Sequence, residues 1–287
     1  QVAELEAELL KLKNQVESFH GRHGERVVIM AHSMGGNVVH YFFKWVTTPK
    51  EQGGGGGEAD WFDKHVEAYI NIAGALLGVP KAVSALLSGE MKDTAILLGT
   101  IGDIAEQLFG RKLRKDMFST WGAPWAMLPK GGDVVWDTVP QGDEELPMLT
   151  LTDPNTNITD EELKGLSDNE IVRKRLMDFA SQENHTASDL VDMLLTWGSG
   201  YGPDISAGKF HKFQKEETLT KEHWHDLTVT PLPEAPSSTI YCLYGVSAET
   251  EVGYYYKTTW EADNGDEDKC SNDKCDPPFL LDATVND

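Results

Sequence analysis

The sequence is poor in cysteine, in basic side chains and in long apolar runs, and each shortage excludes a class of protein. Its 287 residues include three cysteines, Cys242, Cys270 and Cys275, whose spacing forms no zinc pattern. Only 25 basic side chains stand against 47 acidic ones, so the formal charge is −22. That balance argues against nucleic-acid binding and against simple electrostatic attachment to anionic membranes. No apolar run is long enough to form a transmembrane helix.

The chain nevertheless has what a folded domain requires. Forty per cent of its residues are hydrophobic, which is enough for a core and argues against global disorder. No cofactor or metal is expected from the residue patterns. Two sequons, Asn157-Ile158-Thr159 and Asn184-His185-Thr186, permit glycosylation if the protein enters an oxidising compartment, where Cys270 and Cys275 could form a disulfide.

The stretch Arg26–His40 carries the clearest chemical signal. An apolar, β-branched run ends at Ala31, and Ser33 follows between His32 and Met34. Two glycines come next, and then apolar residues recur with helical spacing. This order predicts a strand, a sharp turn and a helix, which is typical of the nucleophile elbow of α/β-hydrolases, G-x-S-x-G, with Ala31 in place of the first glycine.

The elbow assigns two roles. Ser33 is predicted to be the nucleophile, and the backbone N–H of Met34 is predicted to be one donor of the oxyanion hole. His32 adjoins the serine, but neighbouring side chains at a turn point apart, which favours a structural role for this histidine.

The surrounding pattern predicts an α/β fold. Residues 2–19 form an amphipathic helix that Gly21 and Gly24 should end, and Val66–Ala73 reads as a buried parallel strand. The segment Thr47–Asp60, which contains the glycine run Gly53–Gly57, is predicted to be a flexible surface loop without a phosphate site. Strand signal returns at Ser238–Gly245.

Between these strands the chain is largely helical or irregular. Helices are predicted over Ala82–Leu87, Thr94–Phe109, Glu161–Phe179 and Ala187–Trp197, and the section from Asp133 to about Pro236 is polar. The pattern predicts a hydrolase core over 1–79, an inserted cap or lid over 80–236, and a return to the core over 237–287.

Several blocks resemble the lecithin:cholesterol acyltransferase family. They are spread over nearly the whole chain in family order: His32–Gly35 with Phe42–Val46, Tyr69–Val83, Leu87–Thr94, Met127–Gly131, and Pro231–Pro236 leading into Ile240–Val246. The elbow is shared by many hydrolases. The later blocks are similar to one subgroup of the family, which transfers acyl chains from phospholipids to diacylglycerol.

The resemblance implies an α/β-hydrolase fold with a large cap, incomplete at both ends here. It also implies acyl transfer from a phospholipid to diacylglycerol, giving triacylglycerol and a lysophospholipid. It further implies a place at the endoplasmic reticulum membrane, with the catalytic domain lumenal and an anchor upstream. The alternatives are a lipase or phospholipase that hydrolyses the same acyl-enzyme, and a non-catalytic lipid-binding relative.

The serine needs a histidine base and a carboxylate, and neither is recognisable in the sequence. The histidines after the elbow are His65, His185, His211, His223 and His225, and none matches the family position. Asp282 and Asp287 lack the family's Gly-x-x-x-Val-Pro continuation. We therefore expect the acid and the base beyond residue 287.

Aromatic and apolar residues of the predicted cap offer a second kind of site. Trp121, Trp125, Met127 and Leu128 could form a surface facing lipid or acyl chains, because amphipathic aromatic side chains suit a membrane interface. Ordinary packing within the cap explains the same residues equally well. The apolar helix Thr94–Phe109 leaves the same two alternatives open.

Overall fold

The computed structural model divides into two compact units. Unit 1 comprises Gln1–Leu77 and Glu216–Ala248, and unit 2 comprises Gly78–Lys215 and Glu249–Asp287. The residues that the structure describes are 2–90, 111–136, 140–141, 144–145, 147–154, 156–164, 169–198, 224, 227–246, 250–258 and 279–286. The predicted helix Thr94–Phe109 lies outside them. The domain boundaries inferred from the sequence stay a prediction.

Unit 1 is built on a parallel sheet, as the α/β pattern predicts. In chain order its elements are α1 (Val2–His23), β1 (Val27–His32), α2 (Gly35–Thr47), a 3₁₀ turn (Lys50–Gln52), α3 (Trp61–His65), β2 (Val66–Ile72) and β7 (Thr239–Leu243). The strand order is β1-β2-β7, and both pairings are parallel. His32 therefore pairs with Ile72, and Ile72 with Leu243, at one end of the sheet.

The core of unit 1 lies between α2 and the sheet. Phe42, Phe43 and Val46 are fully buried, because they recur on one face of the helix. The Phe43 ring packs edge-on against Phe62 at 4.3 Å and against Tyr69 of β2 at 5.2 Å. This packing fixes the helix that follows Ser33 against the strands that flank it.

Helix α1 is longer than the sequence predicts. It continues through Gly21 to His23, and Gly24, with φ +68°, ends it by donating its N–H to the His20 carbonyl at 2.8 Å. A glycine within a helix is unfavourable but tolerated when the helix is packed, whereas the left-handed position at the helix end favours glycine.

The loop Gly53–Gly57 is packed, in contrast to the flexible loop predicted. The Gly55 N–H donates to the Trp45 carbonyl at 2.7 Å, and the Gly57 N–H donates to that of Val46 at 2.8 Å. A Cβ at Gly55 would lie 2.6 Å from the Trp45 ring. The glycines therefore let the backbone lie flat on the end of α2.

Unit 2 has its own sheet and core. Its elements are α4 (Pro80–Ser88), α5 (Arg111–Ser119), α6 (Gly122–Ala126), α7 (Asp133–Trp136), β3 (Pro140–Gln141), β4 (Glu144–Glu145), β5 (Leu149–Leu151), α8 (Asp160–Lys164), α9 (Glu170–Ala180), β6 (Asn184–His185), α10 (Ala187–Gly198), β8 (Glu251–Thr258) and β9 (Phe279–Asn286). A four-stranded sheet has the order β6-β5-β8-β9, and β3 pairs with β4. No helix over the described residues is long and apolar enough to cross a bilayer.

The described part of unit 2 is less irregular than its polar sequence indicates. Leu149, Leu194, Tyr254 and Tyr256 are buried together in one apolar cluster. The single helical stretch predicted over Glu161–Phe179 is two helices, α8 and α9. Tyr254–Tyr256, which the sequence leaves unassigned, lie in β8 and pair with β5 in parallel and with β9 in the antiparallel sense.

Candidate active site

Ser33 occupies the turn between β1 and α2. Its φ is +53°, in the left-handed region that side chains other than glycine seldom adopt. The strand ends at His32 and the helix begins at Gly35, so only Ser33 and Met34 make the turn. The side chain of Ser33 is exposed, whereas Ala31 before it and Gly36 after it are buried. A strained turn that presents a hydroxyl is the geometry that the elbow pattern predicts.

Both backbone polar groups of Ser33 are held. Its N–H donates to the Ile72 carbonyl at 3.0 Å, and its own carbonyl accepts from Gly36 at 3.0 Å and from Ala75 at 3.3 Å. Two of these three partners come from the end of β2 and the residues after it. The strained conformation persists because hydrogen bonds from the backbone of α2 and from the backbone at the end of β2 hold Ser33 in place.

Small residues allow α2 to lie close to β1 and to the residues that follow β2. A Cβ on Gly35 would lie 3.8 Å from the Ala31 Cβ, an ordinary contact, so the alanine fits where the elbow pattern has a glycine. A Cβ on Gly36 would approach the Gly74 Cα and the Asn71 amide oxygen to 3.3 Å. Gly36 therefore lets α2 lie against the residues that follow β2.

Met34 is the N-cap residue of α2, and no side chain caps the helix there. The backbone N–H groups at a helix start carry a partial positive charge and suit a developing anion. Over the described residues, the Met34 N–H donates no hydrogen bond. This is where the predicted oxyanion donor would act, and its role stays a prediction.

The histidine next to the serine is exposed, whereas the buried tyrosine of β2 pairs with Ile29, four residues before the serine. His32 ends β1, and its side chain is exposed. Tyr69 lies in the middle of β2, where burial raises the pKa of its hydroxyl to about 12 and keeps it neutral at ordinary pH.

His65 is not placed to act on Ser33. It ends α3 immediately before β2, at the opposite end of the parallel sheet from Ser33. The seven residues of β2 separate these ends by about 20 Å at the usual rise per residue. Burial, with His20 next in order of effect, lowers the pKa of His65 below its ordinary value. Its ring packs against His20 and Trp61, which is a structural role.

His185 packs and donates a hydrogen bond within the core of unit 2. It is 1% exposed, its ring stacks on Phe179 with centroids 3.7 Å apart, and its Nε2 donates to the Gln182 carbonyl at 3.1 Å. Burial lowers its pKa to about 4. His211, His223, His225 and Asp287 lie outside the described residues, as does the side chain of Asp282 in β9.

The four residues predicted to form a lipid-facing surface in unit 2 differ in how deeply they are buried. Trp125 and Leu128 are buried in the unit 2 core, where the Trp125 indole donates to the Ser119 carbonyl at 2.9 Å. Met127 is half-buried against the same core, whereas Trp121 is 47% exposed. Packing therefore explains Trp125 and Leu128, and only Trp121 presents a large aromatic surface.

Sequence reasoning missed the polar residues behind the elbow. Asn37 follows Ser33 by four residues, and its amide donates to the Ala75 carbonyl at 2.9 Å. Asn71, in β2, lies against Gly36 and Gly74. Asn37 lies on the buried side of an amphipathic helix, and that signal alone singles it out. No cluster of three or more metal-binding side chains occurs in the part of the chain that the structure describes.

Comparison with known proteins adds to this geometry. The family model described as lecithin:cholesterol acyltransferase matches residues 2–277. The phospholipid:diacylglycerol acyltransferase of Saccharomyces cerevisiae is 39% identical over 259 residues, which is 86% of this chain and 36% of the relative. That of Schizosaccharomyces pombe is 37% identical over 246 residues, 86% of this chain and 37% of the relative. A Bos taurus lysosomal phospholipase A and acyltransferase is 32% identical over 81 residues, 28% of this chain and 17% of that protein.

The parallel sheet and the serine in a left-handed turn between strand and helix define an α/β-hydrolase-like protein. Within that class, the chain belongs to the lecithin:cholesterol acyltransferase family. It spans little more than a third of the length of the two yeast relatives.

Proposed function

We propose that the intact protein is an O-acyltransferase that moves a fatty acyl group from a phospholipid to diacylglycerol. The observation that carries the proposal is Ser33 in its left-handed turn, in a chain that is 39% identical to a phospholipid:diacylglycerol acyltransferase. The products are triacylglycerol and a lysophospholipid. No cofactor enters the scheme, because one ester is exchanged for another.

The reaction proceeds through a serine acyl-enzyme. The Ser33 hydroxyl attacks the phospholipid ester carbonyl and loses its proton to a histidine base, and the lysophospholipid leaves with a proton. The diacylglycerol hydroxyl then attacks the acyl-enzyme and restores the serine. The Met34 N–H donates to the oxyanion of each tetrahedral intermediate, a contact worth on the order of 10²–10³ in rate. The base and its carboxylate are not assigned to any described residue.

We assign unit 2 the role of the cap. Its first segment, Gly78–Lys215, lies in the sequence between β2 and β7, which are neighbours in the unit 1 sheet. An insertion between adjacent strands leaves the sheet continuous and can evolve its own core. The separate apolar cluster of unit 2 supports this assignment.

The decisive experiment follows both possible fates of the acyl group. Intact protein is incubated with vesicles of phospholipid, labelled in the acyl chain, and diacylglycerol. Labelled triacylglycerol is expected from the wild type and none from Ser33→Ala. Labelled free fatty acid without triacylglycerol would contradict transfer and support hydrolysis. The match to a phospholipase A and acyltransferase makes hydrolysis the second candidate.

A fluorophosphonate probe separates catalysis from mere lipid binding. The probe reacts covalently with an activated serine, so wild type should be labelled and Ser33→Ala should not. Lack of labelling in a folded wild type that also gives no product would contradict an enzymatic role.

We further propose that the intact protein acts at the endoplasmic reticulum membrane with these units on the lumenal side. The two sequons provide a test, since Asn157 and Asn184 are both exposed. The protein expressed in eukaryotic cells should lose mass on treatment with an N-glycosidase. The double variant Asn157→Gln with Asn184→Gln should not. An unshifted wild type whose sequons are unmodified by mass spectrometry would contradict lumenal exposure.

A further inference from the structure

The residues that follow β2 form a short loop against the elbow, which we call the clamp loop: Ala73, Gly74, Ala75 and Leu76. Ala73 has φ +46°, the second non-glycine residue with a left-handed backbone among those described. Its N–H donates to the Leu243 carbonyl of β7 at 2.7 Å. The clamp loop is thus attached to the sheet at its first residue and reaches the elbow two residues later.

Ala75 is held by the elbow from both of its backbone polar groups. Its N–H donates to the Ser33 carbonyl at 3.3 Å, and its carbonyl accepts from the Asn37 side-chain amide at 2.9 Å. Asn37 lies about one helical turn beyond Ser33 on α2. The side chain of Asn37 and the backbone of Ser33 therefore both form hydrogen bonds with Ala75 of the clamp loop.

The Asn37 side chain has an arrangement that core packing does not explain. It is 4% exposed, and its Oδ1 has no hydrogen-bond partner among the described residues. A buried amide with an unpaired oxygen carries a free-energy cost that an apolar side chain of similar size would avoid. The bond from Asn37 Nδ2 to Ala75 is the one compensating contact that the described residues show.

The space around this contact allows little adjustment. The buried Asn71 amide fills the layer beneath the clamp loop, and a Cβ on Gly74 would overlap its Oδ1. Gly36 approaches the same group from α2. Because the layer is closely packed, a change in the Asn37–Ala75 bond has few ways to relax except through Ser33.

We propose that Asn37 is a positioning residue for Ser33, acting through Ala75 of the clamp loop. It fixes the residue that holds the Ser33 carbonyl and so keeps the serine in its left-handed conformation with the hydroxyl presented. This inference rests on the proposed role of Ser33 as nucleophile. A displacement of about 1 Å at a reacting group can cost on the order of 10²-fold in rate.

The test measures acylation separately from stability. Fluorophosphonate labelling rates and melting temperatures are compared for the intact wild type, Asn37→Ala, Asn37→Asp and Thr48→Val. Thr48 is the matched control, since its buried hydroxyl donates to the Lys44 carbonyl at 2.7 Å at the far end of α2. We expect Asn37→Ala to label roughly 10- to 100-fold more slowly. Thr48→Val should lose stability and keep the wild-type labelling rate.

A pH profile supplies the readout that a purely structural role would not give. In Asn37→Asp an ionised carboxylate cannot donate to the Ala75 carbonyl, whereas the protonated carboxyl can. Burial raises the pKa of such a carboxyl. The labelling rate of Asn37→Asp relative to wild type at the same pH should therefore rise as the pH falls.

The outcomes separate the two proposals. A folded Asn37→Ala that labels at the wild-type rate, or a relative rate of Asn37→Asp that does not change with pH, would overturn the positioning role and leave the nucleophile intact. Labelling that persists in Ser33→Ala would overturn the nucleophile itself. A large loss in Asn37→Ala, with acid recovery in Asn37→Asp and no loss in Thr48→Val, would establish the positioning role.

Discussion

At the scale of single residues, the strain at Ser33 has a measurable cost. A left-handed backbone costs a residue with a Cβ about 1–2 kcal/mol, which glycine does not incur, although glycine loses about 0.5–1 kcal/mol more in chain entropy. Because Ser33 has φ +53°, Ser33→Gly should be more stable than Ser33→Ala by about 0.5–1 kcal/mol. Denaturant unfolding of the two variants measures the difference. Equal stability would mean that the turn relaxes when the hydroxyl is removed.

The sequence predicts the residues of the elbow better than those that support it. Ser33, Gly35 and the apolar positions of α2 are recognisable because their pattern is local and periodic. The bond between Asn37 and Ala75 joins residues 38 positions apart, and no local pattern marks either of them. A supporting residue is defined by what the folded chain brings beside it.

At the scale of elements, α1 packs on the rest of unit 1 through a narrow face. Leu9 is 2% exposed whereas its neighbour Leu10 is 46% exposed, so the pair is a matched test of that face. Leu9→Ala should lower the free energy of unfolding by about 2–4 kcal/mol, because it removes buried methyl groups and leaves a cavity. Leu10→Ala should change it by less than about 0.5 kcal/mol. Similar losses in both would show that α1 is held by more than its Leu9 face.

The free energy of unfolding should depend on pH through His185, which lies in β6 and packs against α9. The folded pKa of about 4 lies below the reference value of 6.5, because burial opposes the charged ring. The unfolded chain therefore binds more protons between these values. Stability from this residue is complete above pH 6.5 and is lost as the pH falls toward 4, by up to about 3 kcal/mol.

A variant isolates this contribution. His185→Phe keeps an aromatic ring beside Phe179 and removes the titrating group. The difference in unfolding free energy between wild type and His185→Phe should change between pH 7 and pH 4, measured by denaturant unfolding at each pH. Parallel pH curves for the two proteins would show that His185 does not titrate as its burial requires.

The elements themselves were predictable to different degrees. The strands β1 and β2 and the helix α2 follow from short apolar patterns bounded by turn residues. The strand β8 joins β5, about 100 residues earlier in the chain, and its partner β9 follows an acidic stretch without strand signal. Pairing between distant segments decides such strands, and single-sequence periodicity does not contain it.

At the scale of the whole molecule, the formal charge of −22 predicts a response to salt. Like charges on a folded chain repel one another, and unfolding relieves that repulsion. Raising sodium chloride from 0.1 M to 1 M shortens the screening length from about 10 Å to about 3 Å. The melting temperature should therefore rise with salt, as measured by calorimetry.

Charge removal provides the control for this effect. Replacing two exposed carboxylates, Glu25→Gln with Glu183→Gln, lowers the net negative charge without touching a core residue, so the salt response should become smaller. Favourable ion pairs such as that of Arg173 with Asp160 respond in the opposite direction, because salt weakens them. A melting temperature that falls with salt would mean that such pairs outweigh the net repulsion.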